Sequence, residues 1–267
     1  MMTLTDKPDR DHLPGADKYQ DYVLRSPNTE QELALKAPQI DCSDCTNHDK
    51  SIFCQLETGD LQDVSDHKIM NRFKRGQVLF HEGNPAYGVF CISTGKVKLT
   101  KMGVGGRESL LQIAGPGDLV GFQHIVKAGL NDVTATAIED TQVCFLDRLY
   151  LQQLVKDDNS CAMELFAHLA RDMAGLQERM SVFQSKSVRE RVAFLLVDLN
   201  RRFGVDDGET RRLIIQLSRD EMAAMLGVAT ETLIRELSTL KDEGLLEQEG
   251  KTIRLPNVAA LEATLVV

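Results

Sequence analysis

The sequence predicts an α+β chain in three consecutive parts: an N-terminal antiparallel β-roll, one long amphipathic helix and a C-terminal winged helix-turn-helix. Three observations carry that prediction. Short alternating runs between Phe73 and Leu146 are punctuated by glycine, apolar residues then recur at intervals of three and four from about Cys161 to Gln184, and two capped helical segments flank Gly227. Closely spaced short strands imply a roll or barrel. The three-and-four spacing gives a helix with a narrow apolar seam, and two short helices about a glycine turn give a helix-turn-helix.

Composition limits what such a chain does. Its 267 residues suffice for two domains, and 42% hydrophobic content without Trp is that of a soluble globular protein. No apolar run approaches the roughly 20 residues that cross a bilayer. The N-terminus M-M-T-L-T-D-K-P-D-R-D-H lacks the basic-then-apolar order of a signal peptide, so the expected location is the cytoplasm, with no membrane partner. Six cysteines in a reducing compartment point to metal binding, redox sensing or core packing rather than to a disulfide framework. A net charge of −9 argues against a surface coated with basic residues for nucleic acid. It leaves room for a local basic face, because the phosphate field is felt at short range.

Residues 1–40 are polar and weakly periodic and read as a flexible arm. Residues 41–150 hold a cysteine loop and the roll, with Gly83, Gly95, Gly105, Gly106, Gly115 and Gly117 falling where turns belong. Residues 151–186 hold the long helix, whose seam is Leu165, Leu169, Met173, Leu176, Met180 and Phe183. A seam this narrow suits pairing with a second copy; packing against the chain's own roll is the alternative. Residues 187–267 form the last part, beginning with a helix over 188–203 that aligns Val192, Leu195, Leu196 and Leu199. Ser218 and Glu221 form a capping box, Gly227 ends that helix, and Thr230 is expected to cap the next, which runs to about Lys241. The stretch after Gly244 alternates about Gly250-Lys251 as a two-stranded wing.

In a helix-turn-helix the second helix enters the major groove of DNA and presents its N-terminal residues to the bases. Glu231 and Arg235 share one face there. Arg bonds guanine O6 and N7, and Glu accepts from cytosine N4, so the pair is suited to reading adjacent base pairs. The alternative is a surface i,i+4 ion pair. Arg219, Thr230, Thr232 and Lys251 are candidates for phosphate contacts, or are solvated surface.

Cys42, Cys45 and Cys54 share one short polar segment, C-S-D-C-T-N-H-D-K-S-I-F-C. Two thiolates separated by two residues reach one metal from a single turn, and a tetrahedral site then needs a fourth donor. His48 offers one locally, as a Cys₃His zinc staple, and a distant cysteine offers another. Cys91, within a strand pattern, and Cys161, opening the long helix, read as small buried apolar side chains. His81 reads as a turn residue. No paired general acid and base is evident, and the loop lacks the H-x-E companion of a zinc deaminase, so an enzyme is not expected.

The motifs R-G-Q-V-L-F-H-E-G, G-P-G-D-L-V-G-F, R-E-R-V-A-F-L-L and L-G-V-A-T-E-T-L-I-R, in this order, resemble the CRP/FNR superfamily of bacterial transcription regulators over about residues 42–262. The resemblance implies that the roll is a cyclic-nucleotide-binding-like jelly roll serving as a sensor domain, that residues 151–186 are a dimerisation helix, and that residues 187–267 bind DNA. Within the superfamily the chain looks most like the FNR branch, whose members hold an oxygen-labile [4Fe–4S] cluster on three cysteines ahead of the roll and one on a late roll strand. That implies Cys42, Cys45, Cys54 and Cys144 as the ligand set. It also implies a homodimer on a palindromic promoter site in double-stranded DNA, responding to oxygen or nitric oxide, and RNA polymerase as partner. Eight residues separate Cys45 from Cys54, more than in the best-known members, and Ile234 stands where many FNR-type helices carry Ser. A cyclic nucleotide is not expected: Val133-Thr134 stand where CRP-type members carry the Arg-Ser pair that cradles the cyclic phosphate.

Overall fold

A computed structural model describes residues 40–103, 106, 108–124, 129–208, 210–213, 217–250 and 252–265. The expected arm therefore lies outside the described residues, apart from Ile40, as do Gly105 and Lys251. The described residues begin with the cysteine loop and the helix α1 (Thr58–His67), followed by the roll strands β1 (Ile69–Phe73), β2 (Val78–Phe80), β3 (Gly88–Thr94), β4 (Val97–Met102), β5 (Glu108–Ala114), β6 (Leu119–Val120), β7 (Thr134–Ala137) and β8 (Thr141–Asp147). They form two antiparallel four-stranded sheets, ordered β1-β8-β3-β6 and β2-β7-β4-β5.

Alternation along the strands sends Phe90, Ile92, Val143 and Phe145 from one sheet toward Leu79, Phe80, Val97, Leu99 and Ala135 of the other. Phe80, Phe90 and Phe145 stack through this interior with ring centroids 5.5 and 5.1 Å apart. Each such burial contributes roughly 1.5–3 kcal/mol. Gly88 lets β3 approach β8 closely, since a Cβ there would run into the Leu146 carbonyl and the Phe145 ring.

The long helix expected from about Cys161 to Gln184 is present, and a separate shorter helix precedes it and enters the 151–186 part. α2 (Arg148–Asp157) is capped by Asp147, whose carboxylate accepts from the N–H groups of Leu149 and Tyr150, and α3 (Asn159–Ser185) is capped by Asp158, which accepts from Cys161 N. Asp158 is extended and breaks the run. Leu165, expected in the seam, is 8% exposed and packs inward with Leu146, Tyr150, Leu151 and Cys161. Phe166, 67% exposed, takes its place. Phe166, Leu169, Met173, Leu176, Met180 and Phe183 then repeat at intervals of 3, 4, 3, 4 and 3 along the outer face, each at least 38% exposed.

The C-terminal part holds α4 (Val188–Phe203), β9 (Gly204–Asp207), β10 (Thr210–Leu213), α5 (Arg219–Leu226), α6 (Thr230–Asp242), β11 (Glu247–Glu249), β12 (Thr252–Leu255) and α7 (Val258–Ala263). Both Ser187/Glu190 and Ser218/Glu221 form complete capping boxes. Gly227 is left-handed, at φ 62°, where other residues meet a steric penalty. Two expectations need correction. Ala229, not Thr230, is the N-cap of α6, and the wing belongs to a four-stranded sheet, β11-β12-β10-β9, because the strands preceding α5 join it.

This part docks on the roll. Leu110, Ile113 and Ile138 join its core, Lys98 pairs with Glu221 at 2.9 Å, and Arg202 pairs with Asp118 at 2.8 Å.

Candidate metal centre and nucleic-acid interface

The cysteine loop lies over the outer face of the β1-β8-β3-β6 sheet. Its Ile52, Phe53 and Leu56 are buried against Val89, Leu119 and Leu146, the residues that alternate with the roll interior. Two polar contacts fix the first half of the loop: Cys42 N donates to Ser65 Oγ at 2.7 Å, and Asn47 Nδ2 donates to the Ser93 carbonyl at 2.7 Å. The first ties Cys42 to α1, and the second holds the stretch after Cys45 over β3.

Beneath it, strand register sets one row across the sheet: Met70 opposite Cys144, Cys144 opposite Cys91, and Cys91 opposite Leu119. Directly opposed residues of antiparallel strands project to the same face, with Cβ atoms about 4.5–5.5 Å apart. Lys68, just before β1, is 3% exposed, and its Nζ lies 3.0 Å from Cys42 Sγ. Burial pushes the Cys144 thiol up to about 11 against the pull of Lys68, with Cys42 and Cys45 adding to the rise. Burial likewise pushes the Cys91 thiol up, reinforced by Cys144, Cys45 and Cys42.

Of the four expected ligands, Cys42, Cys45 and Cys54 lie in the loop and Cys144 on the sheet face beneath it. The Cys54 thiol is raised by burial and by Glu164, on the side of α3, with a smaller effect from Asp49. The adjoining Gln55 carbonyl accepts from Ser160 Oγ at 3.3 Å, which holds this end of the loop at the start of α3. His48 lies in a half-buried 3₁₀ turn. No three Cys, His, Asp or Glu donors among the described residues are already drawn around one point. The donor chemistry nonetheless fits an anionic thiolate-bound centre, because a buried ammonium is set beside the thiols. Cys91 packs against the same apolar cluster, in line with its reading as a small buried side chain. Cys161 is fully buried, as expected, and burial lifts its thiol to about 12.

On α6, Leu233, Leu237 and Leu240 are buried against α4 and α5, which leaves Glu231, Ile234, Arg235 and Ser238 outward on one stripe. Glu231 and Arg235 make no ion pair with each other or with other described residues, so the simple surface-pair alternative is not realised. Thr230 Oγ1 donates to Asp220 Oδ1 at 2.7 Å, bracing the turn, and half-buried Thr232 flanks the stripe. Arg219 folds back, its guanidinium 3.2 Å from Met222 Sδ, and burial lowers its pKa.

Two family descriptions match the chain: a cyclic nucleotide-binding domain over residues 70–158 and a Crp-like helix-turn-helix domain over residues 190–264. The chain is 32% identical over 181 residues to a CRP-like cAMP-activated global transcriptional regulator of Mycobacterium tuberculosis, covering 68% of this chain and 81% of that protein. It is 28% identical over 218 residues to the transcriptional activator protein FnrA of Stutzerimonas stutzeri, covering 81% and 89%. Among solved structures, FixK2 from Bradyrhizobium japonicum superposes with a TM-score of 0.67 at 27% identity, covering 73% of this chain and 96% of that one.

Proposed function

Because the chain belongs to the CRP/FNR family of DNA-binding transcription regulators, we propose that it is an oxygen- or nitric oxide-responsive member whose signal is read by a [4Fe–4S] cluster. The observation that supports this reading is the placement of Cys144 on the sheet face that the cysteine loop covers, with the buried Lys68 ammonium 3.0 Å from Cys42 Sγ. Cys54 is the fourth thiolate implied by the resemblance. An iron–sulfur cluster supplies a redox-labile anionic centre held by thiolates. The chain supplies the rest: Lys68 balances the charge, and Ser65 and Asn47 hold the loop in place.

The output is coupled through packing. The apolar base under the loop includes Leu165 of α3, while the next residue, Phe166, opens the outward seam. Loop closure therefore steadies the start of the helix by which two copies pair. Pairing sets two α6 helices about 34 Å apart for a palindromic site in double-stranded DNA. Full switching requires a difference of about 5.5 kcal/mol between the two states. Surface loops of the roll and of the DNA-binding part are then available to RNA polymerase. Val133-Thr134 bring no cation for a cyclic phosphate, and the Thr134 hydroxyl accepts from Glu82 N at 3.0 Å, which supports a signal other than a cyclic nucleotide.

One alternative has its own support. The absence of a gathered donor set among the described residues favours a regulator of the same family without a cluster, either zinc-stapled, haem- or metabolite-responsive, or constitutively dimeric. Anaerobic purification separates the two. A brown protein that bleaches in air and then loses its gel shift on a palindromic fragment supports the cluster; a colourless protein with stoichiometric zinc sinks it.

A further inference from the structure

We propose that Asp118 and Arg202 form a positioning contact through which the cysteine loop bears directly on the DNA-binding part, by a route separate from the pairing helix. The inference rests on the loop being the sensing element, as read above, and adds a second path to its output.

The route begins at the loop's 3₁₀ turn, His48–Lys50. Lys50 lies so close over buried Gly117 that a Cβ added to the glycine would stand 2.7 Å from the Lys50 Cβ. Gly117 is also left-handed, at φ 91°, so this turn has little freedom to accept another residue. Strand β3 ties loop and turn together. The Ser93 carbonyl accepts from Asn47, while the neighbouring Ile92 accepts from Gly117 N at 2.9 Å and donates to the Asp118 carbonyl at 3.0 Å. A displacement of the loop over β3 is therefore felt at the Gly115–Asp118 turn.

At that turn the roll meets α4. Asp118 Oδ2 accepts from Gly115 N and from the Arg202 guanidinium, each at 2.8 Å. Phe203, the next residue, packs on Gly115 so tightly that a Cβ there would fall 2.5 Å from its ring, and the Arg202 guanidinium lies 5.0 Å from the centroid of the same ring. α4 in turn carries the helix-turn-helix, since its Leu195, Leu196 and Leu199 share one core with Leu226, Leu233 and Leu237. A close-packed core passes a shift of α4 on to α6.

Two further features mark the pair as a junction. It borders a cavity of about 480 Å³ whose other walls include Asp49 and Lys50 of the loop, His168 and Asp172 of α3, and Asp198 of α4. The second ion pair between roll and DNA-binding part, Lys98–Glu221, leaves from β4, in the sheet that the loop does not cover. Of these two pairs, Asp118–Arg202 is the one joined to the loop.

The test uses the full chain, with and without anaerobically loaded iron and sulfide, and a palindromic duplex selected on the loaded wild type. Anisotropy reads DNA affinity and sedimentation reads pairing. Asp118→Asn and Arg202→Met should each bind at least about threefold more weakly when loaded, shrink the loaded-to-apo affinity ratio by the same factor, and pair as wild type. Arg202→Lys keeps the charge and should keep the wild-type ratio. The double variant should bind no worse than either single one, because contacting residues act as a unit. A wild-type ratio in the two single variants, or losses that add in the double, overturns the inference and leaves the cluster reading intact. Hydrogen exchange of the unloaded chain tests the route without the cluster: Asp118→Asn should speed exchange at residues 47–51 and at residues 199–204 together. If either segment exchanges as in the wild type, the route is overturned. Wild type that takes up neither iron nor sulfide removes the cluster reading, and the exchange result then decides the inference alone.

Discussion

The Lys68 ammonium stands 3.0 Å from the Cys42 sulfur with only 3% of the residue exposed, so a buried cation faces the one cysteine pair that leads the loop. A buried ammonium is unfavourable unless an anion or strong acceptor stabilises it. Asp41, whose carboxyl is held low first by Ser43 and in smaller part by Lys68, is one such anion, and the thiolates of the proposed cluster would add to it.

Lys68→Met keeps the stem's bulk and removes the charge. Hydrogen bonds to charged groups contribute about 1.5–3 kcal/mol, so the affinity for the loaded centre should fall roughly 10- to 150-fold. The apo fold should hold, since a buried cation is replaced by an apolar side chain. Iron retention during anaerobic dialysis against a chelator, together with the thermal midpoint of the apo protein, measures the two effects. Unchanged retention removes Lys68 from the site.

Leu165 and Phe166 are neighbours with opposite duties, and substitution separates them. Leu165→Ala empties a packed position beneath the loop and should destabilise the monomer by about 2–5 kcal/mol. Phe166→Glu leaves the monomer's thermal midpoint unchanged and weakens self-association. Two lost Phe burials amount to about 3–6 kcal/mol, so sedimentation should show dissociation at concentrations at least about 100-fold higher. If Phe166→Glu sediments as wild type, the outward stripe is not the pairing face.

These two residues also mark where the sequence is legible and where it is not. The capping box at Ser218, the helix 188–203 and the left-handed Gly227 are local events, determined within a few residues, and they are found where the pattern puts them, while the second box, at Ser187, is added by the structure. Near its N-terminus α3 is apolar on two sides, because one packs on the roll, and spacing alone does not say whether Leu165 or Phe166 continues the seam. β9 and β10 are short, and their pairing to the wing spans some 40 residues. Alternation puts Cys91 opposite in facing to Phe90. Only the tertiary fold says that this face lies under Cys42 and Cys45.

The Ser187–Glu190 box gives a pH dependence with a definite sign. The Ser187 hydroxyl and N–H, together with Lys186, pull Glu190 down from 4.5 to about 2. A carboxylate depressed on folding adds stability above its unfolded pKa, and that stability disappears as pH falls through the folded value. The contribution should be full above pH 4.5 and fade toward pH 2. Urea midpoints of the wild type and Glu190→Gln, which keeps an acceptor for the cap, should differ at neutral pH and converge on acidification. A gap that widens in acid contradicts the assignment.

Glu231 and Arg235 stand outward on the first turns of α6, unpaired with each other, while Leu233, Leu237 and Leu240 hold that helix in place. Removing either outward side chain should leave the fold untouched and, on the proposed reading, take away one set of base contacts. Each good bidentate pair is worth about 1–3 kcal/mol of discrimination, so Arg235→Ala should weaken binding to the palindromic site about 5- to 150-fold. Binding to unrelated duplex should change little, because it is governed by phosphate contacts. Glu231→Ala should relax preference at the position it reads more than it lowers affinity, since a carboxylate near DNA also repels phosphate. Anisotropy titrations on specific and scrambled duplexes at several salt concentrations separate these effects. An equal loss on both duplexes would assign Arg235 to the backbone rather than to the bases.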